Sequence, residues 1–209
     1  AEESSFLPRL YALLTQLGAV DSYIEAGRET EAFAIVEEVR NQVPPPFDAV
    51  AALGDLNIQL ALEDADALEP ALSAFEAAIA DLGFANLRPR LVQARGRMLE
   101  LREEHREAIE AYEEERRLSP ADLTISMRLG RCHRELGEYD QALALMEEAL
   151  RVSPYDPHAN YEIALTYEAM GRTDDARIHL ERALEVWAEA DEGYRPAAKA
   201  REALASLGV

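Results

Sequence analysis

The sequence predicts an all-α fold, a solenoid of antiparallel helix hairpins, from three observations. Ala, Leu, Glu and Arg dominate while β-branched residues are sparse, so intrinsic propensity favours helix almost everywhere. Small and large residues return at a fixed step of 34: Gly96, Gly130 and Ala164; Ala108, Ala142 and Ala176; Tyr112, Met146 and Leu180. Turn residues keep the same step, with Pro120 and Pro154 as one pair and Gly137 and Gly171 as another. A period that carries packing and turn signals together describes a repeated structural unit, here a pair of helices.

The elements follow in order. Helices are expected near 5 to 17, 18 to 26 and 29 to 42, where Gly27 precedes Ala32, Val36 and Val39 on one helix face and Val43 to Pro46 closes the run. Further helices are expected near 48 to 63, with Ile58 and Leu62 on its apolar side, and near 68 to 82, with Ala71, Phe75 and Ala78; Pro70 is read as punctuation between them. Pro89 then opens a helix near 89 to 102, and a partner spans 105 to 117 before Ser119 and Pro120. The next pair, 123 to 136 and 139 to 151, is divided at Leu136 to Glu138 and ended by Ser153 to Pro157. Asp156 before Pro157 is an N-cap followed by a proline in the first turn, where its missing N–H costs nothing. The last pair, 157 to 170 and 173 to 188, is divided at Met170 to Arg172, and a final helix covers 194 to 207.

Within each hairpin the small residues let antiparallel helices approach, and a large residue four places on fills the gap on the same face. The pattern resembles the tetratricopeptide repeat family, W-x2-L-G-x2-Y, then A-x3-F, then P. Residues 126–133 (SMRLGRCH) with Ala142, Met146 and Pro154 carry it most fully. Residues 160–167 (NYEIALTY) with Ala176, Leu180 and Ala183, and 92–99 (VQARGRML) with Ala108, Tyr112 and Pro120, repeat it. Ser126, Asn160 and Val92 stand where the family prefers Trp, Arg95 takes a Leu place expected to pack, and Ala188 replaces the exit proline. Clear repeats are therefore assigned to 89–122, 123–156 and 157–190, and weaker ones to 13–46 and 52–88, with 194–207 as a capping helix and 1–209 as a single array. The resemblance implies a right-handed superhelix whose concave side is lined by the first helix of each hairpin.

Composition bounds the function. The 209 residues carry 41 acidic and 21 basic side chains, a formal net charge of -20. Such a surface repels nucleic-acid phosphates, so no nucleic-acid partner is expected. No apolar run is long enough for a transmembrane helix. One cysteine, Cys132, permits neither an internal disulfide nor a thiolate metal site. His105, His133, His158 and His179 lack an HExxH pairing, and neither GxxxxGK[ST] nor GxGxxG is present. The expectation is a protein without catalytic residues, metal or cofactor. The chain begins AEESSF without an initiator methionine, which fits a processed start, in the cytoplasm or in the periplasm after signal removal, or a part of a longer protein.

The family resemblance turns attention to the first-helix face. Arg90, Arg95, Arg97, Arg102, Arg128, Arg131 and Arg134 cluster in two first helices of an otherwise acidic chain. The expected partner-binding set on that face is Arg90, Gln93, Arg97, Thr124, Met127, Arg131, Arg134, His158 and Tyr161. Arginines there suit an acidic or carboxylate-terminated peptide through bidentate contacts; the alternative is salt-bridging with nearby glutamates inside the molecule. The Lys and Asn set of the family's carboxylate-clamp members is not reproduced, so recognition of a chaperone tail does not carry over. Tyr161 offers an amphipathic anchor, while Tyr167 and Trp187 are read as packing residues, Trp187 beneath 194 to 207. The function expected is a noncatalytic scaffold holding a peptide or partner protein in its groove. Its alternatives are homo-oligomerisation, or an accessory region of a larger enzyme or membrane-anchored protein.

Overall fold

A computed structural model of the chain describes residues 11–43, 49–82, 87–191 and 193–208. All regular structure among the described residues is helical, with no strand. In chain order the helices are α1 (residues 11–17), α2 (Val20–Glu25), α3 (Glu29–Gln42), α4 (Ala49–Leu62), α5 (Ala65–Leu82), α6 (Arg88–Leu101), α7 (His105–Leu118), α8 (Thr124–Glu135), α9 (Tyr139–Val152), α10 (Pro157–Ala169), α11 (Thr173–Val186) and α12 (Arg195–Ser206). Residues 5–10 of the first expected helix, and the prolines at 44 to 46, lie outside the described residues. The helices divide into two compact units, Ala1–Arg102 and Glu103–Val209, and the division falls within the stretch 89–122 assigned to one repeat.

In the first unit α4 is the central element. Val50 and Ile58 join a core with Leu13, Leu17, Ile24, Val36 and Val39, whereas Ala49 and Leu56 join a second core with Leu68, Leu72, Phe75, Ile79 and Leu91. A helix serving two cores must be apolar nearly all round, which is why its sequence lacks a clean polar stripe. Gly54 sets its approach to the earlier helices: a Cβ there would stand 2.9 Å from both Leu17 Cδ2 and Val36 Cγ1.

The start of α5 differs from expectation. It begins at Ala65, and Pro70 lies inside it. Asp64 makes the early start favourable, because its Oδ1 accepts from the backbone N–H groups of Asp66 (3.1 Å) and Ala67 (3.0 Å). A proline five residues past the first helical position forfeits one backbone bond, and that loss is offset by burial of Leu68, Leu72 and Phe75 on either side of it.

In the second unit the 34-residue period is visible as burial. Ala108, Ala142 and Ala176 are all buried on α7, α9 and α11, and so are Tyr112, Met146 and Leu180 four residues further on. Asp156 caps α10 as the sequence indicates: its Oδ1 accepts from Ala159 N–H at 2.8 Å, ahead of Pro157 in the first turn. Trp187 packs with Ala197 and Ala200 of α12 and with Tyr194, whose ring meets the indole edge-on at 6.0 Å. Chain reversal after α8 and α10 uses Gly137 and Gly171, at φ of 75° and 73°. The equivalent place after α6 is Glu103, held in the same left-handed region at 63°.

Candidate interaction face

The sequence-derived residues divide between the units. Arg90, Gln93 and Arg97 lie on α6 of the first, and Thr124, Met127, Arg131, Arg134, His158 and Tyr161 on α8 and α10 of the second.

On α6 Arg90 and Arg97 reach back to the preceding first helix, α4, and to the turn that ends it. Arg90 donates through Nε and Nη2 to Asn57 Oδ1 and through Nη1 to Gln93 Oε1. Asn57 is buried, so its carbonyl needs such a donor. Arg97 pairs with Glu63 and, at 2.9 Å, with Glu100. Arg102 bonds Glu69 at 2.7 Å. Asp21 on α2 is exposed as a residue, yet partial desolvation of its carboxyl raises it above the ordinary value, and the Arg90 guanidinium pulls it back. Arg95, expected in a packing place, is exposed, 3.6 Å from Glu76. A guanidinium cannot be buried without a close partner, and α6 buries Leu91, Val92, Ala94 and Gly96 instead.

On α8 and α10 two arginines converge on one carboxylate. Arg131 Nη1 lies 3.4 Å from Glu162 Oε1, and Arg134 Nη1 lies 2.7 Å from Glu162 Oε2, with Arg134 Nε also 3.0 Å from Glu135. Burial works against the charge of Arg134, yet Glu162 and Glu135 together outweigh it and raise the guanidinium pKa. Tyr161, half-buried against the core shared by α10, α11 and α12, has its phenol pKa raised, first by burial and then by Glu162, Glu168 and Glu202, with Arg134 opposing. His158 meets Trp187 edge-on at 5.1 Å. Thr124 is exposed at the start of α8, where its hydroxyl and N–H both donate to Asp122 Oδ1, and Met127 is half-buried one turn along.

Beside this face a polar inset lies between helices. Arg128 Nη1 bonds the buried Glu115 of α7 at 3.0 Å, and Ser126 Oγ bonds Glu148 of α9 at 3.2 Å. The serine at the family's Trp place thus leads into a polar contact. His133 Nδ1 meets Glu138 at 2.6 Å, and His179 Nδ1 meets Asn160 Oδ1 at 2.9 Å while its ring lies against Tyr167. No group of three or more His, Cys, Asp and Glu side chains among the described residues is placed to hold a metal ion. No helix among them is long and apolar enough to cross a membrane.

Sequence reasoning did not single out Asn57, Glu63 or Glu162. Glu162 is 31 and 28 residues from its two arginines, off the 34-residue frame, so the period gave no sign of it. Asn57 and Glu63 lie 33 and 34 residues before their partners, at or beside the repeat step, but they fall in the weaker repeat at 52–88, where that step carries no clear packing signal.

No curated protein matches the chain in sequence. Among solved structures it is similar to a thermophilic TPR protein of Thermus thermophilus, at 19% identity and a TM-score of 0.69 over 92% of this chain and 99% of that one. It is similar to PilW, a widely conserved type IV pilus biogenesis factor, at 16% identity and a TM-score of 0.60 over 94% and 90%. In the APC/C hetero-tetramer Cut9-Hcn1 a matching chain gives a TM-score of 0.72 at 19% identity, covering 90% of this chain and 35% of that one. These likenesses show the shared fold. Two tetratricopeptide repeat profiles match the sequence itself, over residues 94–157 and 134–201, together just over half of its 209 residues. With the buried period of α7 to α11 behind those matches, the chain belongs to the tetratricopeptide repeat family.

Proposed function

We propose that the chain is a noncatalytic interaction scaffold that holds a segment of another protein across the first-helix face of α8 and α10, and that this segment carries acidic side chains. The observation that supports it is the sharing of Glu162 between Arg131 and Arg134. A shared carboxylate holds the two guanidiniums in fixed places, so an incoming acidic side chain meets donors already ordered, on a surface where partial burial weakens solvent screening. Thr124, Met127, His158 and Tyr161 flank this charge with polar and apolar contacts of the kind that anchor a peptide. In the first unit Arg90, Gln93 and Arg97 take the corresponding places but are engaged with Asn57, Glu63, Glu100 and one another. The proposal gives them a supporting part, holding α6 to α4.

The test is the affinity of a fluorescent glutamate-rich peptide for the whole chain, with Arg131→Glu compared against Arg151→Glu on the second-helix surface. The reading expects the first change to weaken binding and the second to leave it, with moderate salt weakening the wild-type complex. Equal affinity in all forms, with helicity and melting midpoint preserved, counts against it.

Self-association is a second reading, favoured by Leu118, Val152 and Val186. They stand at the same place in successive hairpins, ending α7, α9 and α11, and are 41%, 66% and 50% exposed. Sedimentation velocity over a range of concentrations separates the two readings, since Val152→Asp lowers an apparent mass that reflects self-association and leaves a monomer unchanged.

A further inference from the structure

The first-helix face of the second unit does not stop at α10. Leu129, Ile163 and Ala197 stand one repeat apart and none is more than 1% exposed, and Cys132, Thr166 and Ala200 recur at the same step with 0% exposed. Two buried tracks common to α8, α10 and α12 fix the rotation of α12 about its axis, because a helix that buries equivalent positions presents equivalent positions to solvent. The capping helix is therefore in phase with the first helices before it.

Carrying that phase across the three helices sets out their exposed side in rows. Met127, Tyr161 and Arg195 occupy one row, and Arg131, Leu165 and Lys199 the next; Leu165 and Arg195 are half-buried and Lys199 is exposed. The two outer helices bring basic side chains and the middle one brings Tyr161 and Leu165. A third row, Arg134, Glu168 and Glu202, holds two carboxylates, which border the strip on that side and repel an acidic chain from it.

We infer that the binding strip of α8 and α10 continues onto α12, where Arg195 and Lys199 form a second basic receptor. Its ligand is an extended peptide with two acidic side chains about six residues apart and an aliphatic residue midway. The inference rests on the acidic-segment reading above and adds the spacing to it. Packed helices stand about 8 to 10 Å apart, so Arg131 and Lys199, two helices apart, are separated by roughly 16 to 20 Å. An extended chain of the polyproline II type advances about 3.1 Å per residue and turns once in three, so two residues six apart span that gap and share one face with the residue midway. The aliphatic residue then falls over Leu165 and the ring of Tyr161, where burial of its side chain adds to the charge attraction.

Two labelled nine-residue peptides of one composition test this on the whole chain. Both carry Leu at position 5 and serine elsewhere; one has Glu at positions 2 and 8, the other at positions 4 and 6. The inference expects the spaced peptide to bind about tenfold tighter than the compact one. Lys199→Glu then abolishes that preference, and Lys199→Gln reduces it, with the melting midpoint unchanged in both. If Arg131→Glu weakens the spaced peptide while both Lys199 variants hold it as wild type does, the extension onto α12 is overturned and the acidic-segment reading stands. If neither peptide binds wild type, or Arg131→Glu has no effect on either, the acidic-segment reading fails and takes the extension with it.

Discussion

Gly130 on α8 lies directly against Met146 on α9. A Cβ at Gly130 would stand 2.8 Å from Met146 Cγ and 3.1 Å from the carbonyl oxygen of Ala142. The thioether side chain can shift, but the carbonyl belongs to a helix backbone and cannot move alone. Gly130→Leu is expected to cost about 1 to 3 kcal/mol by overpacking, read as a lower midpoint in chemical denaturation. An unchanged midpoint with an unchanged slope removes the claim that this contact sets the hairpin spacing.

Glu103 occupies the left-handed turn position that Gly137 and Gly171 occupy one and two repeats later. A side chain in that region costs roughly 1 kcal/mol or slightly more, partly offset because glycine gains entropy in the unfolded chain. Glu103→Gly is expected to stabilise the protein by up to about 1 kcal/mol in the same denaturation assay. A loss of stability contradicts the conformational argument.

Much of this is legible in the sequence. Helix order, the Gly130 contact and the Asp156 cap follow from spacing and side-chain chemistry, which act over short range and leave their mark there. The start of α5 is not, because Pro70 reads as a breaker unless Asp64 is recognised as a cap ahead of it. The phase of α12 is readable only by extending the small-residue series Gly96, Gly130 and Ala164 to Ala198, beyond the last full hairpin. The Glu162 pairing lies outside the period altogether, since arginine side chains reach neighbours that the backbone repeat does not align.

Glu115 interrupts a series of small buried residues, standing one repeat before Ala149 and two before Ala183. Its carboxylate is buried against Arg128. Arg128→Ala leaves that charge without its guanidinium and is expected to cost about 3 kcal/mol. Adding Glu115→Ala, the residue found at the two equivalent places, should restore most of the loss. Additive losses in the double variant would show that the pair is not coupled.

His179 titrates below its usual value, chiefly from burial and then from Arg182, with Asp175 opposing. The folded state thus binds this proton less readily than the unfolded one, so the contribution is complete above the unfolded value of about 6.5 and declines as pH falls through it and on through the lower folded value. Melting midpoints are expected to fall on acidification across that window, and His179→Gln should flatten the part due to this residue. A pH profile identical to wild type would assign the dependence elsewhere.

Where a partner segment lies is read most directly by photo-crosslinking. With a benzophenone amino acid in place of Tyr161, on the first-helix face, or of Ile178, exposed on α11, the chain is irradiated with the labelled peptide bearing Glu at positions 2 and 8. The account predicts a crosslink from position 161, lost in 1 M salt, and none above background from position 178. Crosslinking from position 178 alone, or equally from both, would contradict it.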